Sequence, residues 1–261
     1  MHAAEREKAI VEALRPSGFV SYRDLETILD ASPATIRRDL SRLEGAGLLA
    51  RVHGGAKLPD SADTSRRPEL RLSGTPFDLA IKLNLVAKQA IGRAAAALCR
   101  AGEGVMIDGG TTTLQMCQHL DGLDCQVLTN SLHIVDALLA QSGTRILVPS
   151  GTVFREQNII LAAAGEDSMP RFHAPKLFMG AASVAAQGVM QADVVLVAAE
   201  RRLIERAEEV ILLVDSSKFI SRSGTIVCGL EEIDIVITDP GISVAARESL
   251  ERQGVKVIVA E

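Results

Sequence analysis

The stretch SPATIRRDLSRLEGAGLLARVHGGA, residues 32–56, decides the fold of the N-terminal part of the chain. Ser32 stands where a helix N-cap belongs, and Pro33 follows at the first helical position, where a missing N–H is tolerated. Hydrophobic side chains then recur at helical spacing and form one stripe: Ile36, Leu40 and Leu43. The stretch therefore predicts an amphipathic helix that ends at Gly45 and Gly47.

The other positions of this helix face solvent if the hydrophobic stripe faces the core. They carry small or hydroxyl residues near the N-terminus and arginines beyond them: Ser32, Pro33, Ala34, Thr35, Arg37, Arg38, Ser41 and Arg42. Such side chains hold phosphates and read base edges when a recognition helix enters the major groove of DNA. Because the net charge of the chain is −5, contact with nucleic acid must come from a local cluster of this kind.

The sequence on both sides completes a small domain over residues 1–57. Two short helices precede the arginine-rich one, with inward side chains at Ile10, Val11, Leu14, Leu25, Ile28 and Leu29, and Ser21 caps the second. Beyond it, the apolar Leu48, Leu49 and Val52 are interrupted by Arg51 and followed by the turn His53-Gly54-Gly55. This pattern predicts a β-hairpin wing that brings Arg51 and Lys57 toward the DNA backbone. A winged helix-turn-helix is predicted; for the arginines alone, a solvated charged helix face is the alternative.

Residues 58–76 are rich in Pro, Ser, Asp and Arg, which predicts a linker, and residues 77–261 alternate between helical and strand patterns. Short apolar runs separated by helices are typical of an α/β domain with a mainly parallel sheet. Ligands of such sheets bind beyond the carboxyl ends of the strands. We therefore expect a second, larger domain with its site at one edge of the sheet.

Polar clusters follow four of the predicted strands. The longest is Asp108-Gly109-Gly110-Thr111-Thr112-Thr113, and the others are Thr129-Asn130-Ser131, Asp215-Ser216-Ser217-Lys218 and Thr238-Asp239. The glycine–threonine turn can present N–H and hydroxyl groups to an anion. Lys218 adds a positive charge, and Asp108, Asn130 and Asp215 can bind hydroxyl groups. One shared pocket is predicted, although a set of ordinary Asx turns would look similar at each strand.

Several of these motifs carry a family resemblance. The runs T-I-R-R-D-L and R-V-H-G-G-A, together with D-G-G-T-T-T, T-N-S-L and D-S-S-K-F, resemble the DeoR family of bacterial transcriptional regulators. The resemblance implies operator contacts from Thr35, Arg37, Arg38 and Arg51. It also implies a sensor domain similar to ribose-5-phosphate isomerase and CoA-transferase folds. There, Gly109 to Thr113 would hold the phosphate of a phosphorylated sugar, and Asp108, Asn130 and Lys218 would contact the sugar.

Two hypotheses about function stay open at this point. The first is a transcriptional repressor that binds double-stranded operator DNA as a dimer or tetramer and is released or retuned by a phosphorylated sugar. The second is an isomerase-type enzyme that uses Asp108 as base and Lys218 as electrophile. The run E-R-R-L-I-E-R-A over 200–207 is interpreted as a solvated helix face or a subunit contact.

The remaining sequence features exclude other classes of site. The five histidines lack paired spacing, the glycine-rich turn matches neither the Walker nor the dinucleotide pattern, and we expect no metal and no cofactor. The four cysteines form no C-x-x-C pair and predict reduced thiols. The first residues are charged and lack the apolar run of a signal peptide, and no apolar run of the chain approaches the ~18 residues of a transmembrane helix. We therefore expect a cytoplasmic protein without a membrane partner.

Overall fold

The computed structural model describes residues 3–14, 19–29, 31–45, 49–52, 55–57, 77–155, 157–161, 170–220 and 224–261. The chain divides into two compact units, Met1–Glu69 and Leu70–Glu261. The expected linker over 58–76 lies outside the described residues.

The N-terminal unit contains three helices and three short strands. In chain order they are α1 Ala3–Leu14, β1 Phe19–Ser21, α2 Tyr22–Leu29, α3 Pro33–Gly45, β2 Ala50–Val52 and β3 Gly55–Lys57. The strands pair antiparallel in the order β1-β3-β2, so the predicted hairpin gains a strand from the segment between the first two helices. The predicted winged helix-turn-helix is confirmed, and β1 is an element that the sequence analysis did not anticipate.

Local capping fixes where α2 and α3 begin. Ser32 Oγ accepts a hydrogen bond from the N–H of Thr35 at 3.3 Å, as expected of an N-cap. At the start of α2, Ser21 Oγ accepts from the N–H of Asp24, and a carboxylate oxygen of Asp24 accepts from the N–H of Ser21. This reciprocal arrangement satisfies two backbone donors at the helix start.

The core of this unit is formed by the predicted hydrophobic stripes, with one exception. The stripe of α3 is buried, as are Ile10, Leu14, Leu25 and Leu29. Ile28 was expected to face inward and is 47% exposed. Leu25 and Leu29, one helical turn apart, already occupy the inward face of the short α2, and Ile28 projects about 100° away from Leu29.

The C-terminal unit contains five α-helices and twelve strands among the residues described. The helices are α4 Phe77–Ala80, α5 Leu85–Ala96, α6 Leu132–Leu139, α7 Val194–Ile204 and α8 Val244–Arg252. The strands are β4 Gly104–Ile107, β5 Gln126–Leu128, β6 Arg145–Leu147, β7 Thr152–Phe154, β8 Ile159–Leu161, β9 Ala174–Met179, β10 Ser183–Ala185, β11 Gly188–Gln191, β12 Ala207–Leu213, β13 Thr225–Cys228, β14 Ile235–Thr238 and β15 Lys256–Val259. Short 3₁₀ helices span Thr113–His119, Ser216–Phe219 and Leu230–Glu232.

Seven strands form one sheet in the order β15-β14-β12-β9-β4-β5-β6, and every pair in it is parallel. The predicted α/β domain with a mainly parallel sheet is therefore confirmed. From β4 the chain proceeds to β5 and β6 on one side, and from β9 it proceeds to β12, β14 and β15 on the other. Because the direction of winding reverses between neighbouring β4 and β9, this is the topological switch point, where open α/β sheets bind ligands.

The sheet is covered on both faces. Alternate residues of β4 point into two separate hydrophobic clusters, with Val105 and Ile107 in one and Met106 in the other. All four cysteines are free thiols, as predicted. Within the part of the chain that the structure describes, no helix is both long enough and apolar enough to cross a membrane.

Candidate functional site

A cavity of about 400 Å³ opens at the switch point between β4 and β9. The residues after β4 form one wall, with Asp108, Gly109, Gly110, Thr111 and Thr112. Asn130 after β5, Gly180 to Ala182 after β9, and Lys218 after β12 also line it. The structure thus brings the glycine–threonine turn, Asn130 and Lys218 together, as the sequence predicts. The contribution of residues 180–182 was missed because their sequence carries no polar motif.

The glycine–threonine turn presents backbone donors to the cavity. Among the described residues, the N–H groups of Gly110, Thr111 and Thr112 find no acceptor. The N–H of Gly109 is already used, because it donates to Asn130 Oδ1 at 2.9 Å. Several unpaired N–H groups on one wall can bind an anion such as a phosphate.

Thr113 has a different role from the one expected. Its buried hydroxyl donates to the carbonyl oxygens of Asp108 and Gly110, at 2.8 and 2.9 Å, and it is absent from the described lining of the cavity. The following segment, Thr113–His119, is a 3₁₀ helix where a regular helix was expected. Thr113 therefore fixes the shape of the turn, and its hydroxyl is directed into the protein.

Asp215 is also placed outside this cavity. Its buried carboxylate accepts hydrogen bonds from Asn84 Nδ2 at 2.9 Å and from the N–H of Ser217, which caps the 3₁₀ helix Ser216–Phe219. Together with Asp239 it belongs to a second cavity beside α5. The four polar clusters therefore serve two cavities: residues after β4 and β5 line the first, and Asp215, Ser216, Ser217 and Asp239, after β12 and β14, line the second. Lys218 alone of its cluster reaches the first cavity among the residues described.

A buried lysine, Lys88, also lies close to the first cavity. Lys88 on α5 is 3% exposed, and its Nζ donates to the carbonyl oxygen of Ala80, a residue that lines the cavity. Burial lowers the pKa of Lys88; the nearby positive charge of Lys218 adds to the lowering, and Asp215 opposes it. The sequence analysis gave no signal for Lys88, since its helix reads as an ordinary amphipathic segment.

Two buried carboxyl groups, those of Asp108 and Glu200, line the cavity as neighbours. Burial raises the pKa of Asp108 to about 6. Hydrogen bonds from the N–H of Gly109, the amide of Asn130 and the carboxyl of Glu200 favour the ionised form and oppose this rise. Burial and the charge of Asp108 raise the pKa of Glu200 well above its usual range, although Gln191 donates to Glu200 Oε1. Both carboxyl groups therefore resist ionisation more than exposed acids do.

The position of Glu200 corrects the interpretation of the run over 200–207. That run was expected to be a solvated helix face or a subunit contact, yet Glu200, Leu203 and Ile204 are buried against the unit. Helix α7 places Glu200 at the cavity because it packs on the β10-β11-β13 sheet, whose Gln191 is its hydrogen-bond partner. Among the described residues no cluster of three or more potential metal ligands occurs.

In the N-terminal unit, Arg37 and Arg38 lie exposed on α3 together with Ser32, and Thr35 is half-buried. Arg42 differs from them. Its side chain is 58% exposed and forms ion pairs with Glu7 at 2.6 Å and Asp39 at 3.1 Å. Asp39 is buried and also pairs with Arg6 at 2.7 Å. Arg51 and Lys57 belong to the wing strands β2 and β3, and their side chains lie outside the described part of the molecule.

Comparison with known proteins gives matches along nearly the whole chain. Residues 6–62 match the DeoR-like helix-turn-helix domain, and residues 83–240 match the DeoR C-terminal sensor domain. The chain is 31% identical over 261 residues to the HTH-type transcriptional repressor GlcR of Bacillus subtilis, covering 100% of this chain and 98% of that protein. It is 31% identical over 259 residues to the HTH-type transcriptional regulator UlaR of Shigella dysenteriae, covering 99% of each.

Among solved structures, a ribose-5-phosphate isomerase in complex with phospho-erythronic acid is similar to part of the chain. The sequences are 15% identical, the match covers 51% of this chain and 52% of the isomerase, and the TM-score is 0.37.

Proposed function

The chain belongs to the DeoR family of transcriptional regulators, and from this premise we propose that it represses a carbohydrate operon in response to a phosphorylated sugar. Family membership favours regulation over the isomerase hypothesis for Asp108 and Lys218. The observation that carries the proposal is the cavity at the switch point, where unpaired backbone N–H groups and Lys218 share one lining. That combination suits a phosphate group.

The proposed DNA-binding surface is the exposed side of α3 together with the wing. Arg37 and Arg38 supply charge that is free to meet phosphates or guanine edges, and Ser32 and Thr35 lie at the helix N-terminus. Arg51 and Lys57 are proposed to contact the backbone from the wing. Arg42 takes a lesser part in this proposal, because its guanidinium is already engaged by Glu7 and Asp39.

The proposed effector site comprises Gly110, Thr111 and Thr112 for the phosphate, with Lys218 as the positive charge. Asn130 and Asp108 are proposed to bind hydroxyl groups of the sugar. Gly109 supports the site from beneath, since its N–H holds Asn130. Thr113 is proposed to hold the glycine–threonine turn in shape through its hydrogen bond to Asp108. Asp215 is proposed to position Lys218 by accepting a hydrogen bond from the N–H of Ser217.

A homo-oligomer that acts in the cytoplasm completes the proposal. An operator with two half-sites requires two reading heads, and a symmetric dimer or tetramer supplies them.

Thermal unfolding of the full chain with and without ligands tests the effector site. We expect inorganic phosphate and at least one phosphorylated pentose or hexose to stabilise the chain, and the matching unphosphorylated sugars to have no effect. At 100 times its Kd a ligand raises the free energy of unfolding by ~2.7 kcal/mol. Lys218→Gln should weaken the effect about tenfold or more in Kd, and Lys82→Gln, at an exposed position, should not. Equal stabilisation by the unphosphorylated sugars would contradict the proposal.

A further inference from the structure

Glu200 has an acceptor atom that the protein itself leaves unsatisfied. The residue is 3% exposed and lines the cavity, and its Oε2 has no hydrogen-bond partner among the described residues. Its other oxygen, Oε1, accepts from Gln191 Nε2. A buried carboxylate oxygen without a donor is unfavourable, and a ligand in the cavity is the available source of one.

The neighbour of Glu200 is a second acid. Asp108 Oδ1 accepts from Asn130 Nδ2 at 3.2 Å, and the same amide group of Asn130 accepts from Gly109 through its oxygen. These contacts fix the Asp108 carboxyl but supply no positive charge. When both carboxyl groups are ionised, two negative charges lie side by side in a buried place, and neither Gln191 nor Asn130 neutralises them.

The cavity lining therefore combines groups of opposite character. Lys218 and the N–H groups of Gly110 to Thr112 attract an anion, whereas Asp108 and Glu200 repel one. A neutral hydroxyl group could donate a hydrogen bond to Glu200, but it would leave the paired charges uncompensated. A group that both donates hydrogen bonds and carries a positive charge satisfies both requirements.

We propose that the effector is an amino sugar phosphate whose protonated amine lies between Asp108 and Glu200. This inference rests on the proposed function, because it takes the phosphate to bind at the Gly110–Thr112 turn. The carboxylate pair then discriminates against phosphorylated sugars that lack the amine, since such ligands leave the buried acids unpaired.

The test uses matched ligands that differ at one substituent. Isothermal titration of the full chain with glucosamine 6-phosphate, glucose 6-phosphate and N-acetylglucosamine 6-phosphate compares an ammonium, a hydroxyl and a neutral amide on one ring. The galactose series repeats the comparison with the other configuration. We expect the amine of at least one series to bind about tenfold or more tightly than both of its matched partners.

A variant locates the origin of the preference. Glu200→Gln keeps the shape and removes the charge, and we expect it to reduce the amine preference to within about threefold. Glu205→Gln, at the exposed end of the same helix, should keep the preference. The comparison of ligands on the unaltered chain stands even if Glu200→Gln does not fold.

Each outcome decides the inference. Equal or weaker binding of the amine in both series, or an undiminished preference in Glu200→Gln, would overturn it. If glucose 6-phosphate or galactose 6-phosphate binds without any amine preference, the proposed phosphate site survives and only the amine inference fails. If no member of either series and no inorganic phosphate binds, the proposed effector site fails together with the inference.

Discussion

Asp108 and Glu200 are neighbouring buried carboxyl groups that come from opposite sides of the switch point, one after β4 and the other on α7. Among the described residues, no lysine or arginine forms an ion pair with either carboxyl group, and Glu200 Oε2 has no hydrogen-bond donor. Both features are expected to affect stability as well as ligand binding.

The carboxyl pair predicts a stability that falls as the pH rises. The folded pKa of Asp108 is about 6, compared with 3.8 for an isolated aspartate, and burial and the charge of Asp108 raise the pKa of Glu200 well above its ordinary value. At pH values between the ordinary pKa of each group and its raised folded pKa, the folded state binds more protons than the unfolded state. The free energy of unfolding therefore decreases as the pH rises through this range. The groups that face the pair are the N–H of Gly109, Asn130 and Gln191, with Lys218 in the same cavity lining.

Glu200→Gln should flatten this dependence. We expect the variant to match the unaltered chain near pH 5 and to exceed it at pH 8 by roughly 1 kcal/mol or more, a rise in Tm of about 2–4 °C. Thermal unfolding at pH 5, 6, 7 and 8 measures the difference, with Glu205→Gln as the control. A variant whose Tm follows the unaltered chain at every pH would show that the pair does not titrate in this range.

Arg37→Ala and Arg38→Ala should each weaken DNA binding without changing Tm, because both side chains are exposed on α3. Loss of a phosphate contact reduces the salt dependence of log K by about one unit of slope, and loss of a base contact reduces affinity by ~1–3 kcal/mol. Fluorescence anisotropy on a duplex selected from a random pool, measured from 50 to 200 mM salt, distinguishes the two. Arg252→Ala, on exposed α8, is the control, and unchanged affinity in both test variants would remove α3 from the interface.

Arg42→Ala should behave differently from its neighbours on the same helix. Its guanidinium pairs with Glu7 and Asp39, so we expect a smaller loss of DNA affinity than for Arg38→Ala. Because the Arg42 side chain is 58% exposed and the buried Asp39 keeps its pair with Arg6, the loss should lower the free energy of unfolding by no more than about 1 kcal/mol. Anisotropy and thermal unfolding on the same samples compare the two effects. A loss of affinity equal to that of Arg38→Ala would place Arg42 at the DNA after all.

Gly109→Ala should disturb the cavity by a steric clash with residues that line it. An added Cβ would lie 2.8 Å from Ile159 Cγ2 and 3.2 Å from Asn130 Oδ1, so Asn130 and the turn it holds must move. Overpacking of this kind typically costs ~1–3 kcal/mol, and we expect phosphate binding to weaken with it. Gly224→Ala is the matched control, because a Cβ there meets no heavy atom of the described residues within 4 Å. Unimpaired phosphate binding in Gly109→Ala would show that the turn tolerates displacement.

Sequence patterns within a few residues were sufficient to predict many helices, strands and turns of the fold. The cap at Ser32, the stripe of α3 and the glycine–threonine turn after β4 depend on neighbours within a few residues, and the sequence predicts them correctly. The composition of the cavity depends on strand order, which the sequence does not reveal. Asp215 was therefore expected in a cavity that it does not line, since all strand ends look equivalent before their order is known.

Glu200 was missed for a related reason. It precedes two arginines in a run that resembles a solvated helix face, and only the packing of α7 buries it. Ile28 illustrates the opposite error, because hydrophobic periodicity alone does not decide which of two adjacent apolar residues on a short helix faces the core.

If the proposed function is right, a ligand in the C-terminal cavity changes the affinity of the N-terminal unit for DNA. The direct measurement is the Kd of the selected duplex at zero and at saturating effector, paired with the Kd of the effector with and without the duplex. We expect both ratios to be equal and to lie between about 5 and 150, because linkage is reciprocal. Identical DNA affinity with and without saturating effector would contradict it.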